Sequence, residues 1–320
     1  LKLLFISDIH LDLRSNKEWE AQRFLKLFKD LGDTACDLLV LGGDIFERAR
    51  PSIEEIRLFY QGLDLLNLPP DKVIIINGNH EEVKKPLYTF DYLPSTKFTY
   101  VKTSIIETEK TNLFFVSHSD LGGLDEVLQD ITKKQSILFT HVRPTIPPHI
   151  LEEIPLLKVA KGFDLVISGD IHFKWDAFDN FMYPGTPYSH SFKTEIDHGY
   201  FMIDTDTLEI EYIKTYYANK VKLTIPYRDL HKLKTLSPDN IYKVVVSGTV
   251  EELEGLSSHD NIIYEKHIVT TEVDELTEED IVDITDKDVV RNLLNYTQKT
   301  YELSPEVMEE GERIIDGLFR

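Results

Sequence analysis

Five short segments place metal-capable side chains directly after apolar runs. They are Asp8-Ile9-His10, Gly42-Gly43-Asp44, Gly78-Asn79-His80-Glu81, Thr140-His141 and Gly169-Asp170-Ile171-His172. Carboxylates, an amide and several imidazoles that meet in one place form a mixed oxygen and nitrogen shell. Such a shell suits manganese, iron or zinc better than calcium. Glycines beside the candidate ligands let the backbone turn sharply and approach a bound group closely. Each segment alone is as readily a turn or a surface histidine. All five in this order, each at the end of a strand-like run, leave a purely structural reading with little to explain the pattern.

The runs ahead of these segments read as strands: Lys2 to Ser7, Asp37 to Gly42, Val73 to Ile76, Ile137 to Thr140 and Leu165 to Ser168. Loops at the carboxyl ends of strands are where α/β folds build their sites. Val73 to Ile76 holds no polar residue, which predicts burial on both faces. Leu113 to Val116 adds a strand, and Tyr200 to Ile203 with Ile210 to Ile213 predict a closing hairpin. Between them, Trp19 to Leu31 predicts a helix with Trp19, Phe24, Leu27, Phe28 and Leu31 on one side and Gly32 as its stop. Ser52-Ile53-Glu54-Glu55 has the capping-box pattern, followed by Ile56, Phe59 and Leu63 at helical spacing. The alternation predicts a layered α/β domain over residues 1–217.

Residues 218–272 predict a small α+β module, with strands at Val221 to Ile225, Tyr242 to Val246 and Ile262 to Val269 and a short helix at Val250 to Leu256. Residues 273–320 are strongly acidic, with helix starts at Thr285 and at Ser304-Pro305-Glu306. The last helix would align Val307, Ile314 and Leu318 on one face.

Length and composition bound the function. A chain of 320 residues that is 42% hydrophobic and 28% charged has ample material for a buried core. The net charge of −21 argues against coating nucleic acid by bulk electrostatics. It does not exclude reaching phosphate through metal ions. Cys36 is the single cysteine, so no intrachain disulfide forms and a reducing, cytoplasmic setting is expected. No apolar run reaches the roughly 20 residues of a membrane span. The apolar stretch at the N-terminus is too short for a signal peptide.

The order of the five segments resembles the calcineurin-like metallophosphoesterase superfamily, whose pattern is D-x-H, G-D, G-N-H-[DE], H and G-H-x-H. The resemblance covers residues 1–215. It implies a layered β-sandwich flanked by helices and two divalent metals bridged by one aspartate. Carried over residue by residue, the first metal takes Asp8, His10, Asp44 and His172. The second takes Asp44, Asn79, His141 and, by position, Asp170. His80 stands off the metals as the acid that protonates the leaving oxygen. Aspartate at position 170 departs from the family's histidine. It is a harder, anionic ligand that lowers the positive charge of the second site; the other reading is that Asp170 does not ligate. Two metals ~3.5–4 Å apart clamp the attacking and leaving oxygens of a phosphate ester and neutralise its charge.

Within the superfamily, Gly43-Asp44-Ile45-Phe46 with Pro51-Ser52 is similar to the G-D-[IL]-F…P-[ST] stretch of SbcD-type DNA repair nucleases. It lacks the G-D-x-x-D-R-G of protein serine/threonine phosphatases. Tyr183-Pro184-Gly185, Ser191-Phe192 and His198-Gly199-Tyr200 resemble further parts of the SbcD pattern. That resemblance implies a DNA exonuclease on duplex ends and endonuclease on single strands. Manganese is the expected metal, with magnesium as a substitute. It also implies homodimerisation through the early helices and an SbcC-type coiled-coil ATPase partner, docked on the Val307, Ile314 and Leu318 face. The short chain looks most like a phage version, acting in the host cytoplasm. Candidate DNA contacts are Arg48, Arg143 and Lys174, with Arg50, Lys84, Lys85 and Lys193 behind them. Phe173 and Trp175 can stack on a base or belong to the core. His118, His190 and His198 are read as structural. Two other readings stay open: a small-molecule phosphodiesterase or phosphatase of the same superfamily, and a non-catalytic scaffold.

Overall fold

Apolar residues alternate in the strands with a period of two, and each set finds a different partner. The computed structural model describes residues 1–269 except 15, 130–133, 144–152, 155, 193–196, 218, 259 and 260. The first sheet has the order β14-β13-β1-β2-β3-β6. Its strands are β1 (Lys2–Ile6), β2 (Leu38–Leu41), β3 (Val73–Ile75), β6 (Thr99–Tyr100), β13 (Gly199–Asp204) and β14 (Ile210–Lys214). β1, β2, β3 and β6 run parallel, and the β13–β14 hairpin closes the sheet antiparallel to β1.

The second sheet has the order β11-β12-β10-β9-β8-β7. Its strands are β7 (Thr103–Glu107), β8 (Thr111–Val116), β9 (Gln135–His141), β10 (Leu165–Gly169), β11 (Trp175–Phe178) and β12 (Phe181–Tyr183). Here too the four central strands, β8, β9, β10 and β12, are parallel, with antiparallel strands at both edges.

Leu3, Phe5, Val40 and Ile74 of the first sheet meet Phe115, Ile137, Phe139 and Ile167 of the second in one buried cluster. The alternate residues Leu4, Ile6, Leu39, Leu41 and Ile75 face the other way, toward helices α1 (Lys17–Asp33) and α2 (Ile53–Leu63). On the far side, Phe114, Leu138 and Val166 pack with residues of α3 (Leu124–Gln129) and α4 (Leu156–Gly162). The result is the expected sandwich of two sheets with helices on both outer faces.

Local signals explain the helix ends. Ser52 accepts from the Glu55 backbone and Glu55 accepts from the Ser52 backbone, so the predicted capping box forms. Gly32 does not end α1, which continues to Asp33, where Thr34 bonds back to Leu31 and Asp30. Gly32 is instead a packing glycine: a Cβ there would lie 2.1 Å from the Leu65 carbonyl oxygen.

After the closing hairpin comes a three-stranded sheet of order β15-β16-β17, formed by β15 (Lys220–Pro226), β16 (Ile241–Gly248) and β17 (Ile262–Ile268). A short helix, α5 (Val250–Glu254), starts with a second capping box, between Thr249 and Glu252. A two-stranded ribbon, β4 (Glu82–Lys84) with β5 (Leu87–Tyr88), follows the Gly-Asn-His-Glu segment. The chain divides into two compact units, residues 1–246 with 256–266, and residues 247–255 with 267–320. Val307, Ile314, Leu318 and Lys193 lie outside the described residues. Among the described residues, no helix is long and apolar enough to cross a membrane.

Candidate active site

The site lies where parallel strands of both sheets end. β1, β2 and β3 deliver Asp8 and His10, Asp44, and Asn79 with His80; β9 and β10 deliver His141 and Asp170 with His172. The backbone is unusual there. Asp8, His10, Asp44 and Asp170 have φ of 55°, 48°, 50° and 93°, four of the six non-glycine residues with positive φ among those described. This left-handed region costs about 1–2 kcal/mol per residue, so the surroundings must hold each residue in place.

Those restraints are visible. Asp8 N–H donates to the Gly43 carbonyl, His10 N–H to Asp44 and Leu11 N–H to Ile45, so the first two loops zip together. The fully buried Glu81 carboxylate accepts from the backbone N–H groups of Asp44, Ile45, Phe46 and Gly78, at 2.8–3.2 Å. It thereby joins the second and third loops. A Cβ on Gly78 would lie 2.1 Å from Asp44 Oδ1, so glycine lets these loops touch.

Three groups of side chains converge so that ligand atoms within each lie within 4.8 Å of one another: Asp8, His10 and His172; His10, Asp44 and His80; Asp8, Asp44 and His141. Asp44 belongs to two of them. Its Oδ2 lies 3.6 Å from His10 Nε2 and 3.5 Å from His141 Nε2. His10 Nε2 and His172 Nε2 are 3.1 Å apart. His141 Nδ1 donates to the Gly42 carbonyl at 2.8 Å, so its Nε2 lone pair faces Asn79 Oδ1 at 3.1 Å. Donor atoms this close need either a proton or a metal ion between them. Two nitrogens each about 2.1 Å from one metal ion would sit about 3.0–3.4 Å apart, for octahedral to tetrahedral angles. The donor set therefore fits divalent metal.

The titration behaviour follows from burial and crowding. Burial pushes Asp8 up to about 7, against the pull of His141 and with a further push from Asp44. Burial opposes ionisation of Asp44 too, but His141, His10 and His80 hold its carboxyl well below the usual range. Burial would lower His141, yet Asp44 and then Asp8 hold it well above its ordinary value. His10 is likewise raised, because Glu47 and Asp44 outweigh its burial. His172 is pushed down to about 4 by burial and by His10. These are the charges of a metal-free cage, in which protons do part of a cation's work.

His80 is half-buried, its Nδ1 lies 2.8 Å from the Glu47 carbonyl oxygen, and its backbone N–H donates to Asp44 Oδ1. Its ring meets His10 edge-on at 4.7 Å. Asp170 sits at the same place but in none of the three groups; its backbone N–H donates to the Asp8 carboxylate. Burial pushes its carboxyl up. The three basic candidates each have an acidic partner: Arg48 with Glu55 at 3.4 Å, Arg143 with Glu153 at 2.7 Å and Lys174 with Asp176 at 3.5 Å. Trp175 stacks on Tyr183 and joins the core cluster, while Phe173 is exposed.

Three residues shape the site without having been singled out for it. Glu81 braces two loops, Glu47 Oε2 lies 2.9 Å from His10 Nδ1, and His190 packs on His10 with ring centroids 4.8 Å apart. Glu81 had a signal, since it closes the Gly-Asn-His-Glu segment; Glu47 and His190 had none beyond nearness to a motif.

Residues 1–174 match the family model described as calcineurin-like phosphoesterase. The chain belongs to that family. Among curated members, it is 33% identical to the "Probable exonuclease subunit 1" of Escherichia phage T5, over 90% of this chain and 84% of that protein. It is 25% identical to the "DNA double-strand break repair protein Mre11" of Methanococcus maripaludis, over 78% of this chain and 70% of that one. It is 26% identical to one component of the SbcCD nuclease of Staphylococcus saprophyticus, over 34% and 30%. This calcineurin-like phosphoesterase carries every residue of its three candidate metal groups within the matched segment. His190, which packs against them, lies beyond it.

Proposed function

We propose that this phosphoesterase is a two-metal DNA nuclease, the catalytic subunit of a complex with an SbcC-type ATPase. The carrying observation is the place of Asp44 Oδ2, 3.6 Å from His10 Nε2 and 3.5 Å from His141 Nε2, which supports a bridging position between two cations. Asp8, His10, Asp44 and His172 would hold one ion, and Asp44, Asn79, His141 and Asp170 the other, with manganese favoured over magnesium. A bound pair would supply Lewis-acid stabilisation of the charge that develops on a phosphodiester. The chain's own residues do the rest. His141 is fixed in one tautomer by the Gly42 carbonyl. His80, tethered through Nδ1 and half-exposed, stands where it can hand a proton to a leaving oxygen. Arg48, Arg143 and Lys174 are the proposed DNA contacts; each would exchange part of its carboxylate pairing for phosphate.

The kinship with proteins named for exonuclease, break repair and SbcCD nuclease supports DNA as substrate and a role within a complex. In this reading the protein is a homodimer in the cytoplasm, residues 218–272 form a capping module, and residues 273–320 dock the ATPase through Val307, Ile314 and Leu318. The test uses purified protein, manganese and end-labelled duplex. Metal-dependent shortening of the duplex, abolished by chelation, is expected. Turnover of a chromogenic phosphodiester with no cleavage of duplex or single-stranded DNA, even with the ATPase partner added, would favour the small-molecule alternative.

A further inference from the structure

The segment Tyr188-Ser189-His190 lies outside every group of candidate ligands, yet it is bound on both sides. On one side, His190 Nε2 donates to the Asp8 carbonyl oxygen at 2.8 Å. That carbonyl belongs to the residue held at φ 55°, and its peptide leads to Ile9, one residue before His10. The Asp8 N–H on the other flank is already bonded to Gly43. With both flanking peptides tied, Asp8 has no freedom to relax out of the left-handed region. The His190 ring also packs on the rings of His10 and His172, at 4.8 and 5.7 Å. One imidazole therefore touches the backbone of one candidate ligand and the side chains of two others.

On the other side, a buried ionic network grips the same segment. Arg23 donates to the Ser189 carbonyl at 2.7 Å and lies 4.0 Å over the Tyr188 ring. Lys220 reaches the His190 carbonyl at 3.3 Å, and its backbone N–H donates to Ser189 Oγ at 2.7 Å. Glu20 joins both cations, 2.6 Å from Arg23 and 2.9 Å from Lys220. Arg23 and Glu20 are only 3% and 4% exposed at their side chains. Removing ions from water is costly unless their geometry is fixed, so this network gives the segment one position. Lys220 is also the first residue of β15, which ties the start of the three-stranded sheet to the metal cage.

We propose that His190 is a positioning residue for the Asp8–His10–His172 metal site, held in place by the Glu20–Arg23–Lys220 network. This rests on the two-metal reading of the site. Its bond to Asp8 is what keeps that carboxylate and His10 converged, in the way outer residues orient metal ligands generally. Glutamine can place an amide N–H near the Nε2 position; alanine cannot.

The experiment measures manganese affinity by calorimetry on the metal-stripped full chain, with thermal midpoints in chelator confirming that each variant is folded. H190A is expected to weaken manganese binding 10–100-fold at one of two sites, and H190Q to recover most of the loss. K220M is expected to weaken binding less, and the H190A/K220M double variant to bind no worse than H190A alone, because Lys220 acts through His190. H190A that binds manganese within twofold of the parent overturns the inference. So does H190Q that binds as weakly as H190A, since the bond to Asp8 would then not be what matters. Additive losses in the double variant overturn the link to the network. A parent protein that binds no manganese defeats the two-metal reading itself, and so is told apart from failure of this inference.

Discussion

His80 and His141 both point their Nδ1 atoms at backbone carbonyls, of Glu47 and Gly42, and both lie close to Asp44. Burial separates their roles. His141 is fully buried and faces Asn79 and Asp44, whereas His80 is half-exposed, as a proton donor to a substrate must be. H80A should therefore lower kcat by roughly 10²–10⁴-fold, the usual range for loss of a general acid, while manganese affinity measured by calorimetry stays near that of the parent. A second expectation concerns protons. In the metal-free protein His10 and His141 are raised and Asp8 titrates at about 7, so all three hold protons at slightly acid pH. Ligation requires the neutral imidazole and the carboxylate, so metal binding must expel these protons. The sign follows: apparent manganese affinity rises with pH, at least tenfold from about pH 6 to about pH 7, and the calorimetric heat varies with the ionisation enthalpy of the buffer. A flat profile across that interval would contradict the assignment of Asp8. Spacing after strands was enough to single out Asp8, His10, Asp44, Asn79, His141 and His172, because a strand end fixes where the next side chains go. His190 was illegible, since its relation to Asp8 is made by packing between segments 182 residues apart.

The loops that carry these residues owe their shape to one buried carboxylate as much as to glycine. Glu81 accepts four backbone N–H groups from two loops, and a neutral amide in its place would turn an NH₂ group toward donors it cannot pair with. E81Q should destabilise the fold by about 2–3 kcal/mol, the scale of hydrogen bonds to a buried charged group, as read by urea unfolding in chelator. It should also weaken metal binding, because Asp44 is one of the residues it holds. A loss under about 0.5 kcal/mol, the range of ordinary surface changes, would show that the loops support themselves. The elements were legible for different reasons. Strands such as β2 and β3 are uninterrupted apolar runs, and α2 announces itself by Ser52 and Glu55. The end of α1 was not legible. Gly32 resembles a stop signal, while its real constraint is the Leu65 carbonyl, distant along the chain and reached only through the packing of α1 on α2. β7 and β11 were missed because edge strands with polar residues lack a clear period, and β12 because an apolar strand of three residues is too short to show one.

At the scale of the molecule, the candidate site spans the two sheets of the sandwich. The first sheet contributes Asp8, His10, Asp44 and Asn79, and the second contributes His141, Asp170 and His172. In the metal-free state that junction holds two buried carboxylates, Asp8 and Asp44, against imidazoles of opposing demand. The proposed cation pair would bind the folded arrangement and find no comparable site in the unfolded chain, so its binding free energy would add to stability. At free manganese one hundred times the dissociation constant, the gain is about 2.7 kcal/mol per site, on the order of 5 °C or more in thermal midpoint for a chain of this size. Chelation should reverse it. The pattern across variants is the sharper test. D44A removes the carboxylate that lies between His10 and His141 and is proposed to bridge the ions, and should abolish the shift altogether, whereas H80A should keep it, because His80 stands outside the ligand sets proposed for both ions. A manganese shift of undiminished size in D44A would mean that the cation binds elsewhere and that Asp44 does not bridge.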